Sequence, residues 1–370
     1  MMPTERSAPA LLAAIAQCAT QLSPVRIMNV CGGHERTIAM SGLRSLLPAG
    51  IRLIAGPGCP VCVCPQEDIA LAMHWAISLP VTLLCFGDML RVPVSSAERM
   101  PRSLADARAH GADVRVIASP QEAVALARSQ PERTMIFHAV GFETTMAPVA
   151  ATIASGLPEN LLLLLSGRLT WPAVSMMLQR APSMLDGLIA PGHVATIMGP
   201  GEWSFIPDQY GLPVAVAGFT PVSLLMAIHT ILAQRISGES SNHNGYPAAV
   251  RPEGNPAARR WLEHCFEVVD APWRGIGVVK DSGYRLRPAW VEHDAMARLG
   301  GLPIATGHHD HTADMPPGCD CASVILGEKE PSECRLYGRG CRPAAPVGPC
   351  MVADEGACRI AWDAGIRATR

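Results

Sequence analysis

Over the first 235 or so residues, short continuous apolar runs alternate with longer segments of helical periodicity. The runs VRIMNV, IRLIAG, VTLLCFG, VRVIAS, TMIFHAVG, NLLLLLSG, GLIAPG and PVAVAG each predict a strand. Because they are apolar throughout rather than alternating, they predict strands covered on both faces, as in parallel sheets. The segments between them begin with helix-start chemistry. Ser119-Pro120 precedes QEAVALARSQ and Thr220-Pro221 precedes VSLLMAIHTILAQ, each a capping hydroxyl followed by proline at the first helical position. Pro65 opens PQEDIALAMHWAI, with Glu67 and Asp68 in the first turn, where the helix dipole favours them. The pattern predicts an α/β protein with two doubly wound parallel-sheet domains, spanning residues 1–120 and 121–240. The strand spacing is too irregular for a closed barrel.

Beyond residue 240 the pattern changes. SGESSNHNGYPAAVRPEGNP, residues 237–256, reads as a linker or long surface loop. WLEHCFEVVDAPWRGIGVVKDSGYRLRP then predicts a helix and an antiparallel pair. The last fifty residues are rich in Cys, Gly and Pro and have little periodicity, so something other than an apolar core must order them. Residues 241–370 are therefore expected to form a small Cys-rich iron–sulfur C-terminal domain.

Composition narrows the function. A net charge of −2 with no long run of one sign gives no support for a nucleic-acid groove or a polybasic membrane patch. APALLAAIAQCAT is short and interrupted by Pro9 and Gln17, which predicts an amphipathic first helix rather than a signal segment. The longest uncharged run, between Asp208 and Arg235, contains Pro213, Gly218 and Pro221 and reads as strand, turn and helix rather than a membrane span. Thirteen cysteines, an odd number in a chain long enough to fold on core burial, argue for reduced thiols in the cytoplasm rather than a disulfide scaffold.

The candidate chemistry sits directly after predicted strands, where open α/β sheets bind ligands. Cys31-Gly-Gly-His34-Glu35 follows VRIMNV, Gly56-Pro-Gly-Cys59-Pro-Val-Cys62 follows IRLIA, and Gly141-Phe-Glu143 follows FHAV. Cys31, Cys59 and Cys62 are expected to face one crevice. The loop GPGCPVCVCP holds three thiols on a backbone whose glycines and prolines argue against a helix. A metal site, a redox dithiol and a disulfide staple all fit those residues. Cys18, Cys85 and Cys265 read as small buried hydrophobes, His34 and His193 as hydrogen-bonding residues, and GHHDH at 307–311 as a solvated loop. In the tail, Cys319, Cys334, Cys341 and Cys358 have the spacing C-x14-C-x6-C-x16-C, with Cys321 and Cys350 between them. Six thiols at irregular intervals suit an iron–sulfur cluster, with zinc the competing reading. There is no G-x-x-x-x-G-K-[ST] phosphate loop, no strand-linked G-x-G-x-x-G and no C-x3-C-x2-C.

CGGHE, GPGCPVC, FGDMLRVP, GFETTMAP, PGHV and the tail PSECRLYGRGC…PVGPCMVADEGAC occur in order between Val25 and Cys358. Together they resemble the HypD family of [NiFe]-hydrogenase maturation factors. The resemblance implies a scaffold, rather than a stand-alone enzyme, on which the Fe(CN)2CO unit is assembled. It implies a HypC-type chaperone as partner, HypE as cyanide donor, and one 4Fe-4S cluster that supplies electrons. It also implies that Cys31, Cys59 and Cys62 are the thiols at the iron site, with His34, Glu35 and Glu143 in matched motifs. Cys319, Cys334, Cys341 and Cys358 match the cluster ligands; the family's first cluster thiol lies in a Cys-x-Cys pair, which leaves open Cys321 in place of Cys319, or Cys350 in place of one of the four. A plain thiol–disulfide oxidoreductase using Cys59-Pro-Val-Cys62 is the rival reading. Departures from the family pattern are Cys64 in place of a threonine-like residue, GFTPVS in place of GFEPLD, and VADEG in place of VSSEG. Cys64, beside the start of the helix after Pro65, is expected to be a reactive but dispensable thiol.

Overall fold

The computed structural model describes residues 7–95, 101–302 and 314–367; the GHHDH stretch lies outside them. All eight expected strands form: β1 (Val25–Asn29), β2 (Ile51–Ala55), β3 (Thr82–Cys85), β4 (Val114–Val116), β5 (Met135–Gly141), β6 (Leu161–Gly167), β7 (Gly187–Pro191) and β8 (Val214–Ala217). Strands β5 and β7 are buried along their whole length, the outcome expected of unbroken apolar runs. A further strand, β9 (Asn242–Asn244), arises inside the stretch expected to be a linker, where it pairs in parallel with β8. Being short and polar, it closes a sheet edge without an apolar signature in the sequence.

The strands build two parallel sheets, in the orders β2-β1-β7-β8-β9 and β4-β3-β5-β6. Each is doubly wound. Strand addition reverses once in each, between β1 and β7 and between β3 and β5. The chain therefore interleaves: residues 25–55 and 187–244 share the first sheet, while 82–167 form the second. The expected break at residue 120 falls inside the second sheet, between β4 and β5. Strand order in the chain does not reveal this, because β7 returns to pair with β1, Ile27 opposite Gly187.

Local chemistry behaves as expected. Ser119 accepts from the Glu122 N–H and Thr220 from the Ser223 N–H, each capping its helix. Thr220 thus has a helix-capping role at one of the positions where the sequence departs from the pattern it resembles. The first helix, Ala8–Ala19, buries Leu11 and Ile15 against the helix Pro221–Ser237. Among the described residues, no helix is long and apolar enough to cross a membrane.

The expected C-terminal helix and antiparallel pair also form, but they pack on the second sheet rather than standing apart. The helix Pro256–Cys265 lies on the helix Glu143–Ala154. β10 (Phe266–Trp273) and β11 (Gly277–Leu286) pair antiparallel, and β11 reaches the end of β6 through a bridge between Gly283 and Arg168. Over the described residues 314–367 the chain forms short helices, Cys321–Ile325 and Ala357–Asp363, the 3-10 turns Pro331–Glu333 and Pro349–Met351, and other turns. This tail lies across the C-terminal ends of the first sheet. Gly327 approaches Ile54 and Met28, and Glu355 packs on Gly32.

The last contact is testable. A Cβ added to Gly32 would stand 2.4 Å from the Glu355 Cβ and 2.8 Å from its carbonyl oxygen, so backbone would have to move. Gly32→Ala is expected to cost about 1–3 kcal/mol, the range for overpacking, and to loosen the tail. Limited proteolysis would then cut faster beyond residue 314. An unchanged cleavage pattern and melting temperature would show that the tail does not depend on this contact.

Candidate functional site

The first sheet reverses between β1 and β7, and β1 ends directly beneath the CGGHE segment. Cys31 is the N-cap of the helix Gly32–Met40, with extended backbone (φ −156°, ψ 125°). The loop after β2 passes tightly beside it. The Gly56 N–H donates to the Asn29 carbonyl at 2.8 Å and the Gly32 N–H to the Gly58 carbonyl at 3.1 Å. A Cβ on Gly58 would lie 2.6 Å from the Cys31 Cα. Only glycine permits that approach.

Cys59 and Cys62 form a disulfide, with Cα atoms 5.3 Å apart. The expectation of a non-helical loop is corrected here, since Pro60–Val63 makes one helical turn. Proline is excluded from helix interiors but suits the first position, which Pro60 occupies. Cys59 is the N-cap, and its Sγ accepts from the Cys62 N–H at 3.2 Å.

Cys31 and Cys59 line one small cavity of about 10 Å³ together with Asn29, Glu35, Cys350 and Glu355. Cys62, fully buried, joins the site through its bond to Cys59. Glu35 is held in place: Asn29 Nδ2 donates to its Oε2 at 2.9 Å, and Arg44 pairs with its carboxylate at 2.8 Å. Burial pushes the Cys31 thiol up to about 12, and the nearby Glu355 carboxylate adds to this. The backbone N–H groups of His34 and Gly33 oppose both effects.

His34 and Glu143 lie elsewhere. His34 Nε2 is 3.1 Å from the Ala217 carbonyl, and the ring lies 4.8 Å from Phe219, which also stacks on His193 at 3.7 Å and meets Tyr246 edge-on. Burial lowers His34 to about 4, so it is neutral at pH 7 and acts as a packed hydrogen-bonding group. Glu143, fully buried at the end of β5, accepts from the Thr170 N–H at 2.7 Å and from its hydroxyl at 3.0 Å. It is not among the residues lining the cysteine cavity.

Cys64 departs from expectation. It is 1% exposed, its Sγ 4.0 Å from His138 Nε2, and His138 in turn meets Ser166, whose hydroxyl donates to Asp68. Burial, with Asp68 nearby, pushes its thiol up to about 12. The dipole at a helix start does not activate a thiol that has left water, so Cys64 is a buried, protonated group and not a reactive one.

The tail thiols converge. Cys319 Sγ is 3.3 Å from Cys321 Sγ, and the Cys321, Cys350 and Cys358 sulfurs lie within 4.8 Å of one another. Of the four expected ligands, only Cys358 belongs to that trio. Gly348 is required beside them, because a Cβ there would stand 2.4 Å from Cys319 Sγ and 2.5 Å from Cys321 Sγ. Cys341 Sγ accepts from the Val347 N–H at 3.3 Å, the kind of bond that steadies a metal-bound thiolate. A crowded, buried, all-sulfur donor set fits a soft metal or an iron–sulfur cluster. Sequence reasoning missed the position of Cys350, which reaches both the trio and the cavity of Cys31 and Cys59. Its spacing alone does not distinguish it from the other tail cysteines.

Comparison with known proteins points to one family. The family described as HypD, hydrogenase formation hypA family, matches residues 6–365. The hydrogenase expression/formation protein HupD of Azotobacter chroococcum is 40% identical over 369 residues, covering 97% of this chain and 93% of its own. The hydrogenase maturation factor HypD of Azotobacter vinelandii is 40% identical over 362 residues (95% and 92%). That of Rhodobacter capsulatus is 37% identical over 364 residues (96% and 94%).

Glu143 gives a pH test. Burial pushes its carboxyl up to about 7 despite the Thr170 hydrogen bonds, and Glu202, buried beside it, is raised by burial and by Glu143. An unfolded chain releases this proton near the ordinary glutamate value, so the folded protein holds the extra proton between that value and about 7. Stability therefore falls as pH rises through this window. Glu143→Gln is expected to flatten that decline in thermal melts between pH 5 and 8 (about the interval of the shift). The Glu202 contribution should remain. A slope identical to wild type would show that Glu143 does not hold the proton.

Proposed function

The chain belongs to the HypD family of hydrogenase formation proteins, and from that premise we propose that it is the scaffold on which an Fe(CN)2CO unit is built. The observation that carries the reading is the single cavity into which Cys31 and Cys59 both face. Iron and its diatomic ligands are the cargo. Low-spin Fe(II) favours soft thiolate anchors, and the Cys31, Cys59 and Cys62 sulfurs are grouped on adjoining strand-end loops.

With Cys59 and Cys62 joined, neither sulfur is free to act as a thiolate ligand. Reduction takes two electrons and two protons and breaks the S–S bond, releasing two thiols next to Cys31. The cavity, about the size of one water, must also open before iron enters. Glu35, fixed by Asn29 and Arg44, keeps the floor of the site in place meanwhile. Three thiols leave iron coordinatively open, which supports a HypC-type chaperone as donor of further ligands and HypE as the source of cyanide.

In the tail, Cys319, Cys334, Cys341 and Cys358 would hold a 4Fe-4S cluster, with Cys321 or Cys350, both in the buried sulfur trio, as the alternative to one of them. A cluster held by those thiols would supply reducing equivalents. Cys350 bridges the two thiol groups in space. Eleven thiols outside the disulfide suit a reducing compartment, the cytoplasm. The closed Cys59-Pro-Val-Cys62 pair on a helical turn favours one rival, a general thiol–disulfide oxidoreductase. Turnover of a generic disulfide by the isolated protein, without iron or partners, would decide for it.

Two outcomes are expected. Anaerobic protein reduced beforehand should take up ferrous iron outside the cluster, while protein with the Cys59–Cys62 bond closed, or carrying Cys31→Ala, should lose most of that uptake. Equal uptake by the closed form would remove these thiols from the iron site. Separately, Cys334→Ala or Cys341→Ala should abolish the visible absorption of the cluster and loosen the tail, since ligation is what orders it. Unchanged absorption and protease resistance in both variants would overturn the ligand assignment.

A further inference from the structure

Between the disulfide loop and the tail thiols lies the turn joining β10 to β11, residues 273–277, which carries a buried arginine. The Arg274 N–H donates to the Val63 carbonyl at 3.0 Å, tying the turn to the Cys59–Cys64 segment. On its other side the turn meets the tail, since a Cβ on Gly275 would lie 2.7 Å from Met315 and 3.1 Å from Ala322, the neighbour of Cys321. Trp273, fully buried, anchors the turn by donating from Nε1 to the Ser282 hydroxyl at 2.8 Å. Gly275 (φ 71°) and Gly277 (φ 103°) supply the positive dihedrals it requires. The turn is thereby held from both sides.

Arg274 is 0% exposed. Its Nη2 donates to the Pro93 carbonyl at 2.7 Å and its Nε to the Asp314 carbonyl at 3.4 Å, while Nη1 is buried with no hydrogen-bond partner. The groups that act on it electrostatically are Cys64, Cys321, Asp314 and Cys319. Of these, Asp314 supplies the one carboxylate, and Gln66 Nε2 already donates to its Oδ1. A buried guanidinium with so little compensation is costly unless negative charge gathers beside it. Thiolates carrying a cluster supply that charge.

We propose that Arg274 is the counter-cation of the tail's thiolate cluster, a positioning residue whose charge raises the cluster's reduction potential. The proposal rests on the cluster reading above. A cluster bound by thiolates is anionic and gains one negative charge on accepting an electron. A cation held in a low-dielectric interior therefore stabilises the reduced form more than the oxidised one. Arg274 acts through this field and touches no substrate.

The test uses the full chain with its cluster reconstituted anaerobically, as wild type, Arg274→Gln, Arg274→Lys and Asp314→Asn. Iron and sulfide content is measured first, then the midpoint potential by titration followed by electron paramagnetic resonance. Equal cluster content is expected throughout. Arg274→Gln should shift the potential to more negative values, Arg274→Lys should largely restore it, and Asp314→Asn should shift it the opposite way. Full clusters with an unmoved potential in Arg274→Gln overturn the proposal and leave the cluster reading intact, whereas wild type without iron and sulfide overturns the cluster reading itself. Should Arg274→Gln fail to fold or to take up a cluster, Asp314→Asn decides: an unmoved potential there overturns the proposal.

Discussion

Everything at the candidate site depends on one steric constraint, the passage of Gly58 against the backbone of Cys31. A side chain at 58 would collide with the Cys31 Cα, N and carbonyl carbon, all within 2.8 Å of an added Cβ. The bond from the Gly32 N–H to the Gly58 carbonyl exists only because the two loops come this close. That approach aligns Cys59 with Cys31 and sets the short turn on which Cys62 is presented. Thiols from different strand-end loops then meet at one point, and side-chain flexibility is not needed to bring them together.

Burial sets the chemical state of the site. Cys31 and Cys64 are both raised by loss of water, so each is a thiol at neutral pH. They differ in what the surroundings offer. Cys31 stands at a helix N-terminus, lines a cavity and has the backbone N–H groups of His34 and Gly33 beside it, all of which favour the thiolate over the thiol. Cys64 faces His138, which burial holds near 3 and therefore neutral. The same element in two packing environments thus becomes a candidate ligand in one case and an inert core group in the other.

The interleaved sheets explain why the tail matters. The chain leaves the first sheet after β2, forms the disulfide turn, and enters the second sheet at β3, so the redox-capable pair sits at the crossover between two cores. The tail lies across the same region, with Glu355 against Gly32, Gly327 against the ends of β1 and β2, and Cys350 in the cavity wall. A segment with almost no regular structure is therefore wedged where the two sheets and the disulfide meet. Its own sulfur donors face inward there.

Much of this was legible in the sequence. Eight strands, the capped helices, the β10–β11 pair and the strand-end position of Cys31, Cys59 and Glu143 all follow from local rules, because strand burial, capping hydroxyls and proline position act over a few residues. The motifs in order were enough to name the family. Tertiary structure alone decided the rest. Pairing of β7 with β1 made two interleaved units out of what read as consecutive ones, since sheet order depends on which apolar faces meet across long stretches of chain. Cys64, Cys350 and Arg274 took their roles from depth and from the groups packed around them. These are properties of the packed interior, where distance in sequence says nothing about distance in space.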